Sequence, residues 1–199
     1  LGLTSVSNVT FVANQSLLPR RSGYLVYSEG NAAPSPIRYR TWDGTSFSSE
    51  LSALSAGGIG EWLSVKNAPT RDESIIVTAQ TLDDVSVQIN GTVANGTSCW
   101  HNGTTCNQYL NLTLTSTTIN RQKADVAYET LTGDAIVVYS QNNHTVAYKV
   151  WNGTGWSATI GVPDTLINSG VISYVKMVSN PVNDEIALIM TNTSALNVM

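Results

Sequence analysis

Arg38-Tyr39-Arg40-Thr41-Trp42-Asp43-Gly44-Thr45-Ser46-Phe47-Ser48 and Tyr148-Lys149-Val150-Trp151-Asn152-Gly153-Thr154-Gly155-Trp156-Ser157 are two copies of one pattern. Alternating residues run into a tryptophan, then Asp-Gly or Asn-Gly, then a second aromatic and a serine. Alternation of period two marks a half-buried strand. Asp-Gly and Asn-Gly tolerate the positive φ that both central positions of a two-residue hairpin turn demand. Each copy therefore reads as a β-hairpin.

The likeness extends outward. Trp42 is followed by Trp62-Leu63-Ser64-Val65 and then Pro69-x-x-x-Glu73-Ser74-Ile75-Ile76-Val77. After Trp151 the same order returns as Tyr174-Val175-Lys176-Met177 and Pro181-x-x-x-Glu185-Ile186-Ala187-Leu188-Ile189. A degenerate copy lies between. Val85 to Thr92, with Ile89 for the tryptophan and Asn90-Gly91 as the turn, replaces the hairpin, and Asp125-Val126-Ala127-Tyr128 leads into Gly133-Asp134-Ala135-Ile136-Val137-Val138-Tyr139. Tyr24-Leu25-Val26-Tyr27-Ser28 repeats Ile136 to Ser140. Internal similarity at such a period is the signature of a repeat architecture.

The expectation is an all-β chain of about three and a half four-stranded antiparallel units of roughly 55 residues each, either propeller-like or a stacked-sheet sandwich. It divides into an extended N-terminal segment (1–22), a first repeat region (23–84), a degenerate repeat with a cysteine loop (85–140) and a last repeat region (141–199). The apolar runs at Ile75, Ile136 and Ile186 suit strands buried on both faces. Trp42, Trp62, Trp151 and Trp156 fill the space between sheets or form a shelf for a sugar ring. Glu73, Asp134 and Glu185 recur after a turn, where each is expected to cap it.

The chain has 199 residues, 10 Lys plus Arg against 14 Asp plus Glu, and a net charge of −4. That balance argues against a partner that is nucleic acid. Only 12% of residues are charged, whereas Ser, Thr and Asn number 22, 23 and 18. No apolar stretch reaches the roughly 18–20 residues that cross a bilayer, so no transmembrane segment is expected.

Asn-x-Ser/Thr occurs at Asn8, Asn14, Asn90, Asn95, Asn102, Asn111, Asn143, Asn152 and Asn192, about twice what composition predicts, and such acceptors act in exported chains. N-glycans are expected there. Cys99 and Cys106 bracket a short polar loop and fit a disulfide in an oxidising compartment. Closing that loop removes roughly 2–3 kcal/mol of chain entropy. The expected location is extracellular, at the cell surface, with a signal peptide removed.

No nucleophile elbow, zinc-protease motif, phosphate loop or dinucleotide fingerprint is present. No catalytic residue, cofactor or metal is assigned. Asp43, Asp72, Glu73, Asp83 and Asp84 are the carboxylates a glycosidase would have to draw on, and the Asp83-Asp84 pair reads as a turn or a weak calcium ligand.

The tryptophan, Asp/Asn-Gly and second-aromatic hairpin resembles the repeats of secreted prokaryotic cell-surface proteins that form propeller-like blades. That resemblance implies an architecture and a cell-surface setting, and it carries no catalytic residues. Propellers close with about four to eight blades, and three and a half units leave an edge unpaired. An uncharged edge is a template for another chain. In this respect the chain also resembles the glycosylated, donor-strand-linked surface filaments of archaea. The reading is a self-assembling subunit of an extracellular filament or surface layer with a role in adhesion. The alternative is a sugar- or protein-binding adhesin module from a lectin-like propeller.

Overall fold

The computed structural model describes residues 6–13, 23–29, 34, 36–55, 57–80, 84–113, 122–141, 144–163, 171–192 and 196–198. They form four antiparallel sheets, met in chain order. The first holds β1 (Val6–Ala13), β2 (Gly23–Glu29), β3 (Ile37–Trp42) and β4 (Leu51–Ser52). The second holds β5 (Gly60–Asn67), β6 (Ser74–Gln80), β7 (Asp84–Thr92), β8 (Ser98–His101) and β9 (Leu110–Thr113). β10 (Ala124–Tyr128), β11 (Ala135–Ser140), β12 (Val146–Trp151) and β13 (Ile160–Gly161) make the third. β14 (Ile172–Ser179), β15 (Ile186–Asn192) and β16 (Leu196–Val198) make the fourth.

In each sheet successive strands pair, except that β9 of the second sheet pairs with β7, from Asp84↔Thr113 to Val87↔Leu110, beyond the end of β8. The first strands of consecutive sheets are neighbours, β1 with β5, β5 with β10 and β10 with β14. Four blades are thus set side by side with their first strands innermost, as in a β-propeller. Divisions at 84/85 and 140/141 fall inside the second and third blades, because the repeat begins one strand before the apolar run. The N-terminal segment contributes β1, which pairs along β2 from Ala13↔Gly23 to Val6↔Glu29. It is engaged in its own sheet.

Period-two alternation explains the packing. Ile75 and Val77 of β6 join Val85, Val87 and Ile89 of β7 on the face toward the third blade, against Val126, Tyr128, Val137 and Trp151. Ile76, between them in sequence, faces the first blade with Val65 and Trp100, against Val26 and Ile37. The run at Ile75 is therefore buried on both faces. A third cluster joins Val138 and Val146 to Val175, Met177 and Met190 across the third and fourth blades. Each such side chain contributes about 1.5–3 kcal/mol by leaving water.

Near the axis, Asp125 is fully buried. Its Oδ1 accepts from Ser64 Oγ at 2.5 Å, and its Oδ2 accepts from the Met177 backbone N–H at 2.8 Å and pairs with Lys176 Nζ at 3.2 Å. Ser64, Asp125 and Lys176 each stand nine residues before the recurring acid of their blade. One repeat position, filled by three different side chains, links three blades. A buried carboxylate survives only when paired and hydrogen-bonded.

Candidate functional site

Three hairpin ends have the same build. Asp43 Oδ1 accepts from Thr45 N, Ser46 N and Thr45 Oγ1, all at 2.8 Å. Asn152 Oδ1 does so from Thr154 N, Gly155 N and Thr154 Oγ1 at 2.9–3.0 Å. Asn102 Oδ1 accepts from Thr104 N, Thr105 N and Thr104 Oγ1 at 3.0–3.2 Å. The flanking residues bridge as Trp42↔Phe47, Trp151↔Trp156 and His101↔Cys106. Gly44, Gly103 and Gly153 supply the positive φ each turn needs.

Two expectations are corrected here. The loop between the bridged residues is four residues long, not two, because the Asp or Asn oxygen pins two backbone N–H groups beyond it. And the hairpin of the second blade is the cysteine loop, not Asn90-Gly91. Asn90 and Gly91 lie extended in β7, paired with Trp100 and Cys99. The chain turns later, at Val93 to Gly96. An inserted β8 carries the hairpin outward, so His101 and Cys106 stand where other blades have aromatic residues. The Cys99–Cys106 disulfide is present, with Cα atoms 5.7 Å apart.

Between the second and third blades, Glu73 reaches across the interface. Tyr128 OH donates to Oε1 at 2.7 Å, Trp151 Nε1 to Oε2 at 2.9 Å, and Arg71 Nη2 pairs with Oε1 at 3.3 Å. Glu73 therefore does more than cap its turn, the role that Glu185 plays through Asn180 and Asn183. Burial, and then Glu73, push the Tyr128 phenol well above its usual range. Trp151 is 2% exposed. The cysteine loop covers it, with Trp156 Nε1 donating to Asn102 O at 2.8 Å. His101 Nδ1 accepts from Gly103 N at 3.0 Å, which places the proton on Nε2. Burial lowers the His101 pKa, and Glu73 opposes that shift.

Trp151 is thus core and Trp156 packs on it, while Trp62 on β5 is 38% exposed. Of the Asn-x-Ser/Thr positions, Asn95, Asn111 and Asn152 are exposed and Asn102 is half-buried. Asn90 points its amide at Tyr24 OH, 3.4 Å away, between the first and second blades. Asn14 and Asn143 lie outside the described residues, as does Asp83, and for Asn8 and Asn192 only the strand backbone is described. Asn-Gly-Thr also has a turn-forming job at Asn95, Asn102 and Asn152, which Asp43-Gly44-Thr45 performs without being an acceptor. Among the described residues, no three His, Cys, Asp or Glu side chains converge as metal ligands.

The first blade carries a polar and aromatic cluster on the face turned away from the second. Tyr27 pairs with Arg38, Leu25 with Arg40 and Gly23 with Trp42, so Tyr27, Arg38, Arg40 and Trp42 share that face. Tyr27 OH donates to Glu50 Oε2 at 2.5 Å, and Arg38 Nε lies 3.7 Å from Glu50 Oε1. Arg38 also donates to Ser52 Oγ, and Arg40 Nη1 to Ser48 O at 2.9 Å. Burial and the Glu50 carboxylate raise the Tyr27 pKa. Trp42 and Phe47 pack with centroids 4.8 Å apart and their rings tilted by 54°, and Phe47 is 45% exposed.

The third blade repeats this frame without the Arg38–Glu50 pair. Lys149 Nζ donates to Ser157 O at 2.8 Å as Arg40 does to Ser48 O. Tyr139 OH meets Thr159 Oγ1 at 3.3 Å where Tyr27 meets Glu50, and Ala147 pairs with Tyr139 where Arg38 pairs with Tyr27. The sequence reading missed Arg38 and Glu50. Their signal was there in the aligned repeats, as an ionic pair in one copy of a chain with few charges.

A cavity of about 440 Å³ opens between the third and fourth blades, walled by Ile136, Val138, Tyr148, Val162, Met177 and Leu188 among others.

No protein-family model matches the chain, and no curated protein matches it. Among solved structures it is similar to the lectin of Aleuria aurantia. One such structure is a point mutant in complex with alpha-methyl-L-fucoside, at 10% identity and a TM-score of 0.57. Another, described as a six-bladed β-propeller with a novel mode of fucose recognition, has 10% identity and a TM-score of 0.56. Each match covers 89% of this chain and 55% of the lectin, so the chain spans about half the length of the solved proteins it matches. The likeness shows the propeller fold. Neither the likeness nor the strand pairing supports the filament expectation. Among the described residues no helix is long and apolar enough to cross a membrane.

Proposed function

We propose that this chain is a secreted carbohydrate-binding module whose site is the face of the first blade turned away from the second. One observation carries the reading: the Arg38–Glu50 pair sits on a frame that the third blade builds equally well from Ala147 and Thr159. The fold does not need the charges, so a ligand is the reason offered for them. A guanidinium beside a carboxylate matches the vicinal hydroxyls of a sugar with charge-assisted hydrogen bonds, and the exposed Phe47 ring beside Trp42 offers an aromatic face for its apolar side. Small-ligand sites combine such walls with a few placed polar groups. The fold it shares with a lectin solved with a fucoside supports the same class.

The test copies the third blade into the first. Alpha-methyl-L-fucoside and a glycan panel are titrated against the chain and against Arg38→Ala and Glu50→Thr. Loss of one charged hydrogen-bonding group costs about 1.5–3 kcal/mol, so affinity falls at least tenfold while the urea midpoint stays in place. Binding left intact by both substitutions refutes the site. The exposed Asn95, Asn111 and Asn152 are proposed as the N-glycan carriers of the exported chain, which intact mass before and after glycosidase treatment reads directly.

A further inference from the structure

We infer that Asn152, ahead of Gly153, is a site of spontaneous deamidation, singled out by the fold from four copies of one tripeptide. Asn-Gly-Thr begins at Asn90, Asn95, Asn102 and Asn152. Unfolded, the four are chemically alike. The reaction needs a glycine nitrogen free to attack, a side-chain amide folded back over it, and an amide nitrogen free to leave into water.

Three of the four are held. Asn90 pairs with Ser74 on one side and Trp100 on the other, its Nδ2 donates to Tyr24 OH, and Gly91 is buried in β7. The Gly96 N–H donates to Val93 O at 2.8 Å. The Gly103 N–H donates to His101 Nδ1 at 3.0 Å, and Asn102 Nδ2 donates to Gln108 Oε1 at 3.3 Å. Each of these hydrogen bonds has to break before the glycine attacks or the amide leaves.

Asn152 meets all three needs. It is exposed. Among the described residues, nothing accepts from the Gly153 N–H or from Asn152 Nδ2. Thr154 N, Gly155 N and Thr154 Oγ1 all donate to Asn152 Oδ1. Those contacts fold the side-chain amide back over the Gly153 peptide and aim three donors at the oxygen that takes up negative charge on attack.

The Gly153 nitrogen gives its proton to water and bonds to Asn152 Cγ. The Cγ–Nδ2 bond then breaks, Nδ2 takes a proton from water and departs as ammonia, and a succinimide ring remains. Water opens the ring at one carbonyl or the other, leaving aspartate or isoaspartate at position 152. Aspartate suits the turn, because Asp43 makes the same contacts. Either product ends the Asn-x-Thr acceptor, and a glycan on Nδ2 blocks the reaction, so the two modifications exclude each other.

This inference is independent of the proposed sugar site, and either can fail alone. The full chain, made in a host without N-glycosylation, is held at mildly alkaline pH while peptide mapping by mass spectrometry follows all four asparagines. A parallel sample in urea with reductant supplies the unfolded rate of each. Relative to those rates, Asn152 of the folded chain is expected to convert at least about tenfold faster than Asn90, Asn95 or Asn102. Asn152→Asp removes the early release of ammonia. Equal relative rates at the four sites overturn the inference. So does an Asn152 that stays intact while the unfolded chain converts, or early ammonia release that persists in Asn152→Asp.

Discussion

The first and third blades carry the same hairpin, yet their tryptophans live in different surroundings. Trp151 is buried under the cysteine loop and donates to Glu73 of the blade before it. Trp42 is half-exposed and packs at a tilt against its own Phe47. The turn is alike in both, with one side-chain oxygen holding three donors and a serine clamped to the strand before it, Thr41 N to Ser48 Oγ at 3.0 Å and Val150 N to Ser157 Oγ at 2.9 Å. Local chemistry makes the hairpin. What lies across the interface decides whether its aromatic residue is core or surface.

The largest test of that contrast removes each indole. Trp151→Ala costs about 3–5 kcal/mol, the usual range for a buried aromatic residue, and leaves Glu73 short of one donor. Trp42→Ala costs under about 1 kcal/mol, typical of surface changes. Urea unfolding measures both, and equal losses would show that Trp42 is as enclosed as Trp151. Next comes the lid. Replacing Cys99 and Cys106 by serine lowers stability by about 2–3 kcal/mol and shifts Trp156 fluorescence to the red, because the loop that accepts its N–H loosens. A blue-shifted or unmoved spectrum would separate the disulfide from the lid.

The third effect is a pH dependence confined to the buried hairpin. The His101 pKa is lowered in the folded chain, so the unfolded chain takes up the proton first as pH falls below 6.5, the ordinary value. The stability that neutral His101 confers is complete above that pH and drains away as pH drops toward the lower folded value. Glu73, whose carboxylate works against that lowering, tempers the slope. His101→Phe flattens the stability curve between pH 7 and about 5; a slope that persists assigns it to other groups. The smallest effect is at the exposed hairpin. Backbone hydrogen bonds from Ser46 and Thr45 lower the Asp43 pKa, but Asn152 makes the same contacts without a charge, so Asp43→Asn leaves the unfolding midpoint unchanged.

The pattern around Trp42 and Trp151, with the two-sided apolar run at Ile75, was legible as β-meanders in repeat because period two and turn chemistry are local properties. The disulfide was legible for the same reason, since a seven-residue separation brings Cys99 and Cys106 together whatever the rest does. The second-blade hairpin was not. Asn90-Gly91 has the local signature of a turn, and pairing with the inserted β8 overrides it. Nor could Glu73 be seen as more than a cap, because Tyr128 and Trp151 lie 55 and 78 residues away. Sequence by itself determined strand, turn and repeat, which depend on neighbours along the chain. Tertiary structure alone decided which tryptophan is buried, which carboxylate is shared between blades, and which interface Trp100 fills, since each depends on side chains that meet only when one blade is laid against the next.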